Sequence, residues 1–264
     1  MRDEGSVSGM TARRTGIKET RAKDCTPAER TGNRMLTLHY APDNASLVIR
    51  LVLDAIGVPF RTRLVDRARR AQDDAEYRAL NPVGRIPVLE TPDGPIFETG
   101  AILLWLADRH GDMAPVPDSP QRGRFLSWLF CLSNTLHADM RLLFYPEHYA
   151  PPGAMSEHHR ITAARLDAHL RLFEAAWQQG LSATATAAPP SVLDFYVACC
   201  LRWCALYPRG GTGWFCLARL PALRRLAETL DTHPATLRAI AAEGLGPTPF
   251  SAPQLACPPE GSAT

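Results

Sequence analysis

Asn81-Pro82-Val83-Gly84-Arg85-Ile86-Pro87-Val88-Leu89, followed after a turn by Phe97-Glu98-Thr99-Gly100-Ala101-Ile102-Leu103, is the stretch that orders the rest of the chain. Its first half ends a helix at Asn81-Pro82, crosses a glycine turn and enters a short apolar strand through Ile86-Pro87. Proline at the first residue of a strand removes a ladder donor and suits an edge or a special bend. X-Pro is the bond type in which the cis form is cheap, and a cis bond here would turn the Ile86 main chain outward. An extended peptide could then pair with it as an added strand does. The second half sets a carboxylate and a hydroxyl, Glu98 and Thr99, at a helix start, whose unpaired N–H groups and positive dipole end suit a carboxylate. Alone, that pair would read as a helix cap. Beside the Ile-Pro it describes a docking site for a small peptide bearing an amine and a carboxylate.

Asn-Pro-x-Gly-x-Ile-Pro-Val-Leu followed by Glu-Thr-x-Ala-Ile resembles the glutathione-binding half of the cytosolic glutathione S-transferase family, bacterial type. The resemblance covers about residues 35 to 245. It implies a thioredoxin-like N-terminal domain followed by an all-helical C-terminal domain. It also implies glutathione as co-substrate, with Arg85, Ile86, Pro87, Glu98 and Thr99 as its binding residues. In that family the residue before the cis-proline pairs with the cysteinyl backbone, and an acidic-hydroxyl pair holds the γ-glutamyl end. Thr99 stands where Ser is commoner, and either hydroxyl can make the bond.

Outward from that stretch, Leu36 to Tyr40 alternates as a strand and Ala41-Pro42-Asp43-Asn44 is turn material. Ser46 to Ile56 reads as a mostly buried helix closed by Gly57. Phe60 to Val65 is a second strand, and strand-helix-strand implies a parallel pair with a crossover. A helix ends near Leu80, Pro92-Asp93-Gly94 turns a hairpin into Ile96-Phe97, and Ala101 to Arg109 is a helix with Trp105 and Leu106 facing in. Pro115 to Pro120 is a stiff linker, so the domains are set at 35–114 and 121–245.

Beyond the linker the period is helical. One long helix is expected from Gln121 to about Phe144. A second runs from about Ala154 to Gly180, with Ile161, Leu166, Leu170, Phe173 and Trp177 on one face. Ser182 to Pro190 reads as a loop. Ser191-Val192-Leu193-Asp194 resembles a capping box opening an apolar helix. Two shorter helices span Pro221 to Leu230 and Pro234 to Ala242, and residues 246–264, with five prolines, read as a loosely ordered tail.

Residues 1–34 contain almost no large apolar side chain and read as a disordered tail. They hold eight Lys/Arg against five Asp/Glu, so the net charge of +2 leaves the remainder near −1. That balance gives no basis for a nucleic-acid or membrane partner, and no apolar run approaches the ~20 residues of a membrane span. Seven cysteines in no disulfide framework, and no secretory signal, make a reducing cytoplasm the expected compartment.

Glutathione chemistry needs a thiolate at neutral pH, and a free thiol has a pKa near ~8.5. The start of the first helix offers a positive dipole end, and Tyr40, Asn44 and Ser46 are the side-chain donors near it. In the bacterial branch that the motif resembles, Cys occupies the position of Ala45, and Ala45 can neither form a mixed disulfide nor donate a hydrogen bond. Trp128, His137 and Arg141 are candidates for the second-substrate pocket. His137 and Arg141, four apart, are placed to bind an anionic electrophile. Cys199, Cys200 and Cys204 read as buried, inert thiols, and no metal site is expected.

The expected activity is transfer of the glutathione thiolate to a small hydrophobic electrophile or a peroxide, a detoxification reaction, and the resemblance implies a homodimer. The alternatives are a glutathione-dependent disulfide reductase and a non-catalytic glutathione-binding or regulatory module.

Overall fold

A computed structural model describes residues 35–111, 113–181 and 189–263. The expected tail 1–34 and most of the Ser182 to Pro190 loop lie outside the described residues. The chain begins with β1 (Leu36–Tyr40), α1 (Ser46–Ile56), β2 (Phe60–Leu64) and α2 (Ala75–Leu80). It continues with β3 (Val88–Thr91), β4 (Gly94–Phe97) and α3 (Thr99–His110). The strands form one sheet in the order β2-β1-β3-β4. β1 and β2 pair in parallel, whereas β1–β3 and β3–β4 are antiparallel. This is the thioredoxin-like arrangement, with the carboxyl ends of β1 and β2 at the same edge as the start of β3.

Alternation along β1 divides the sheet's faces. Leu36, Leu38 and Tyr40 join the large core built with α1, α3 and the helices that follow. His39 turns to the opposite face, where Tyr77 of α2 lies with its ring 5.8 Å away, and donor or acceptor contact with Glu90 satisfies the imidazole at 2.6 Å. α1 buries nearly every residue through Leu53 and is closed by Gly57 at φ 76°, a left-handed conformation that glycine adopts without strain. Ala45, rather than Ser46, precedes its first turn. In α3, Leu106 is buried as expected, whereas Trp105 is half-buried with Arg109 over its ring.

The helical half comprises α4 (Arg122–Cys131), α5 (Ala138–Phe144), α6 (Met155–Gln178), α7 (Val192–Leu206), α8 (Pro221–Asp231) and α9 (Pro234–Glu243). The single helix expected from Gln121 to Phe144 is interrupted: residues 132–137 are π-helical. The wider turn shifts the phase of the side chains and presents Ser133 and His137 to α7. On α6, Leu166, Leu170, Phe173 and Trp177 are buried, but Ile161 is exposed and Thr162 and Ala163 take its place in the core. The capping box forms in full: Ser191 accepts from the Asp194 amide and the Asp194 carboxylate accepts from the Ser191 amide. Trp177 Nε1 also donates to Asp194 at 3.1 Å, joining α6 to the start of α7.

Residues 246–263 hold neither helix nor strand, but they are packed rather than loose. Phe250 is buried, and the Asp231 carboxylate accepts from the amides of Phe250 and Ser251.

α7 buries every residue from Val192 to Cys204, including Arg202. A guanidinium at such a depth needs a counter-charge. Asp43, in the turn before α1, supplies it through two hydrogen bonds of 2.8 and 2.9 Å, with both side chains fully buried. Trp203 Nε1 and the Tyr207 hydroxyl also donate to the Asp43 carboxylate, and the Asp43 amide donates to Glu243. Glu243 in turn accepts from Arg50 of α1 at 2.7 Å, and burial raises the Glu243 pKa. Arg202 has further acceptors in the carbonyls of Leu245, Pro249 and Gln254. Asp43→Asn should therefore lower stability by about 3–5 kcal/mol, because it leaves the Arg202 charge buried without a partner. Combining it with Arg202→Met should recover part of the loss, both effects being read from urea denaturation.

Candidate functional site

The Asn81 to Pro87 turn is fixed from within. Asn81 Nδ2 and the Tyr77 hydroxyl both donate to the Arg85 carbonyl, at 2.7 and 2.8 Å, and the Val83 amide donates to Asn81 Oδ1. Gly84 sits at φ 67°, where a Cβ would stand 3.0 Å from the Gln72 carbonyl oxygen. The Ile86–Pro87 bond is cis, as expected. The ladders of β3 begin at Val88, so the Ile86 main chain stands outside the sheet pairing, next to the end of β1. The Arg85 side chain is exposed.

Glu98 precedes α3 at φ 71°, an unfavourable backbone for a non-glycine residue. Its exposed side chain makes no capping bond to the helix, so the carboxylate is free of the role a simple cap would give it. Thr99, the first residue of α3, is buried. Its hydroxyl and that of Ser133 are the hydrogen-bonding groups that favour ionisation of the Tyr196 phenol on α7, although burial dominates and holds that pKa well above the usual tyrosine range. Tyr196 also bonds His137 Nδ1 at 2.6 Å. The π-helical turn, α7 and the start of α3 thus meet in one polar cluster behind Thr99.

The three donor candidates fare differently. The Ser46 hydroxyl donates to the Ala41 carbonyl at 3.0 Å and accepts from the Ala41 amide, fully buried, and so closes the loop between β1 and α1. The Tyr40 phenol donates to Glu260, lies beneath Arg50 with 4.9 Å between guanidinium carbon and ring centroid, and is 2% exposed. Burial, then the bond to and charge of Glu260, raise its pKa. Asn44 is partly exposed, and its Oδ1 accepts from the Ala45 amide at 2.8 Å.

The expected second-substrate trio does not form a pocket. Trp128 packs edge-on against Phe173, ring centroids 5.5 Å apart. His137 is enclosed by Tyr196 and Trp203, and loss of hydration pushes its pKa down to about 4, so it is neutral at pH 7 and cannot attract an anion. Arg141 instead lies over the Tyr145 ring at 4.9 Å and donates to the Tyr149 hydroxyl. Cys199, Cys200 and Cys204 are buried, and burial raises each thiol pKa, which keeps them protonated.

Asp43, Arg202 and Tyr196 were not singled out from sequence. An arginine inside the otherwise apolar run of α7 was the available signal, because a lone charge there demands a partner.

A thioredoxin-like sheet with a cis-proline entering β3, an acidic-hydroxyl pair opening α3 and a helical half behind them define a glutathione-transferase type of fold. Residues 35–108 match the model of the glutathione S-transferase N-terminal domain. The chain is 29% identical over 220 residues to glutathione S-transferase GstA of Escherichia coli O157:H7, covering 80% of this chain and 100% of that protein. It is 28% identical over 224 residues to the disulfide-bond oxidoreductase YfcG of Escherichia coli K12, covering 80% and 97%. A shorter match, 36% over 92 residues, reaches a probable elongation factor 1-gamma 2 of Arabidopsis thaliana, but spans only 22% of that protein. Among solved structures, a sphingomonad glutathione S-transferase complexed with glutathione superposes with a TM-score of 0.65 at 28% identity, over 80% of this chain and 100% of that one. Residues 35–108 thus match a glutathione S-transferase N-terminal domain, and the chain from β1 through its helical half is similar to glutathione S-transferases in sequence and fold.

The low His137 pKa has a consequence in acid. The unfolded imidazole takes a proton near its ordinary ~6.5, whereas the folded one resists until about 4. Stability from this group is complete above the unfolded value and falls as pH drops between the two. His137→Asn, which keeps a polar partner for Tyr196, should lose less stability than the parent between pH 7 and pH 5, measured as urea midpoints at each pH.

Proposed function

We propose that this protein binds glutathione along the Ile86 main chain, grips its γ-glutamyl end with Glu98 and Thr99, and transfers the thiolate to a small hydrophobic electrophile or a peroxide. The observation that carries this reading is the juxtaposition of the cis Ile86–Pro87 bond with an uncapped Glu98 carboxylate ahead of α3. The Glu98 carboxylate suits the ammonium group, while Thr99 and the first amides of α3 suit the adjacent carboxylate. The glutathione held by the sphingomonad relative supports the choice of peptide.

Asn44 is the thiolate donor in this reading. Its Nδ2 has no partner within the loop, whereas the Ser46 and Tyr40 hydroxyl protons are held by Ala41 and Glu260. A hydrogen bond from that amide, together with the start of α1, favours the ionised sulfur. With an aryl halide, the sulfur bonds to the ring carbon, the carbon–halogen bond breaks, halide leaves with the electron pair, and the thiol proton passes to solvent. The chain's own residues orient and ionise the thiol and do no covalent chemistry. Disulfide exchange is a second reading, favoured by the similarity to YfcG and by the amide donor at Asn44. Ala45, which offers no thiol, favours a third, in which glutathione is bound and not consumed. The reading includes a homodimer, for which exposed Phe130 on α4 offers apolar surface. Among the described residues no helix is long and apolar enough to cross a membrane.

Thr99→Val should weaken glutathione binding about tenfold or more, the loss of a hydrogen bond to a charged group, as measured by calorimetry. Asn44→Ala should leave that affinity within a few-fold but lower kcat with 1-chloro-2,4-dinitrobenzene by about 100-fold, the scale of losing one oriented donor. It should also raise the pH midpoint of thiolate absorbance. Binding without turnover, in this assay and in a disulfide-exchange assay, would establish the module reading instead.

A further inference from the structure

After α9 the chain leaves through Gly244, runs out and returns, and the Cys257 amide donates to the Gly244 carbonyl at 2.8 Å. The next residues lie over the sheet edge where the thiol must react. The Glu260 carboxylate accepts from the Tyr40 phenol at the end of β1. Gly261 passes so close to β2 that a Cβ would stand 2.7 Å from Leu64 Cδ1 and 3.3 Å from Pro42 Cδ. Pro42 belongs to the loop that carries Asn44. Ala263 then offers its carbonyl to Arg67 Nη1 at 2.8 Å.

Arg67 Nη2 donates to the Tyr145 hydroxyl at 2.7 Å, and Arg141 covers the same ring. Two guanidinium groups therefore bracket Tyr145 at the end of α5. Arg63, Arg70 and Arg78 nearby are all paired with carboxylates. Among the described residues Arg67 and Arg141 donate only to neutral acceptors: a carbonyl and two phenols. A guanidinium that donates only to neutral acceptors can exchange one of them for an anion, and a carboxylate binds it about twice as strongly as a carbonyl does.

We propose that residues 257–263 form a strap over the electrophile side of the thiol site, and that a carboxylate on the second substrate displaces the Ala263 carbonyl from Arg67, with Arg141 as the second cation. The substrate class is a small electrophile bearing a carboxylate. The strap's own Glu260 opposes such an anion while the strap is seated, so entry and displacement occur together. This assignment deepens the thiol-transfer reading and rests on it, but the strap can be tested without turnover.

Hydrogen exchange of the Glu260 to Ala263 amides in the full chain is compared with 3-nitrobenzoate and with nitrobenzene, its neutral counterpart. Exchange should rise at least threefold with the benzoate alone; equal exchange with both, or none with either, overturns the strap. In steady-state transfer, the ratio of kcat/KM for 4-chloro-3-nitrobenzoate over 1-chloro-2,4-dinitrobenzene should fall about tenfold in Arg67→Gln and less in Arg67→Lys. An unchanged ratio overturns the role of Arg67, while turnover of the neutral halide keeps the transfer reading standing. Absence of glutathione binding by calorimetry would remove the transfer reading, and the exchange experiment would still decide the strap.

Discussion

The buried pair of Asp43 and Arg202 is the constraint on which the rest of the molecule depends. It joins the turn before α1 to the middle of α7, and so the sheet that presents a peptide to the helices that back it. Ionic groups taken from water are stabilising only where every donor and acceptor is met. Here Trp203, Tyr207 and three backbone carbonyls complete the set. The arrangement gives direction more than strength, since an apolar pair of the same shape would fill the space without fixing the loop. Asp43 itself takes a positive φ of 49°, and the carboxylate network holds it there.

Two polar clusters flank the proposed thiol position. One, built from Asp43, Glu243 and Arg50, sets the start of α1. The other, built from Tyr196, Ser133 and His137, backs the start of α3. Both helix starts are positioned from the helical half of the chain. The π-helical turn matters for that reason: it carries both Ser133 and His137, which meet Tyr196 of α7.

Much of this was legible from local pattern. Alternation in Leu36 to Tyr40, the Gly57 cap, the Ile-Pro entry to β3 and the Ser191–Asp194 box each depend on neighbours within a few residues, and each formed. The misses all depend on distant partners. Ser46 looked available, but its acceptor is the carbonyl of Ala41 across a folded loop. Tyr40 could not be read without Glu260, 220 residues away in sequence. His137 and Arg141 were read as a pair facing one ligand, but His137 is taken up by Tyr196 and Trp203 of α7 and Arg141 by Tyr145 and Tyr149. Ile161 fitted the apolar stripe of α6 only when the register was extended one turn too far.

Gly244 gives these contacts a remote control. It caps α9 at φ 64°, and any side chain there would overlap the Cys257 carbonyl that crosses above it. The path of the terminal segment is thus threaded through a slot sized for a single hydrogen atom. Whatever the cleft admits is decided in part at this crossing, so selection acting on one backbone position far from any reacting atom would redraw the range of molecules the protein can accept.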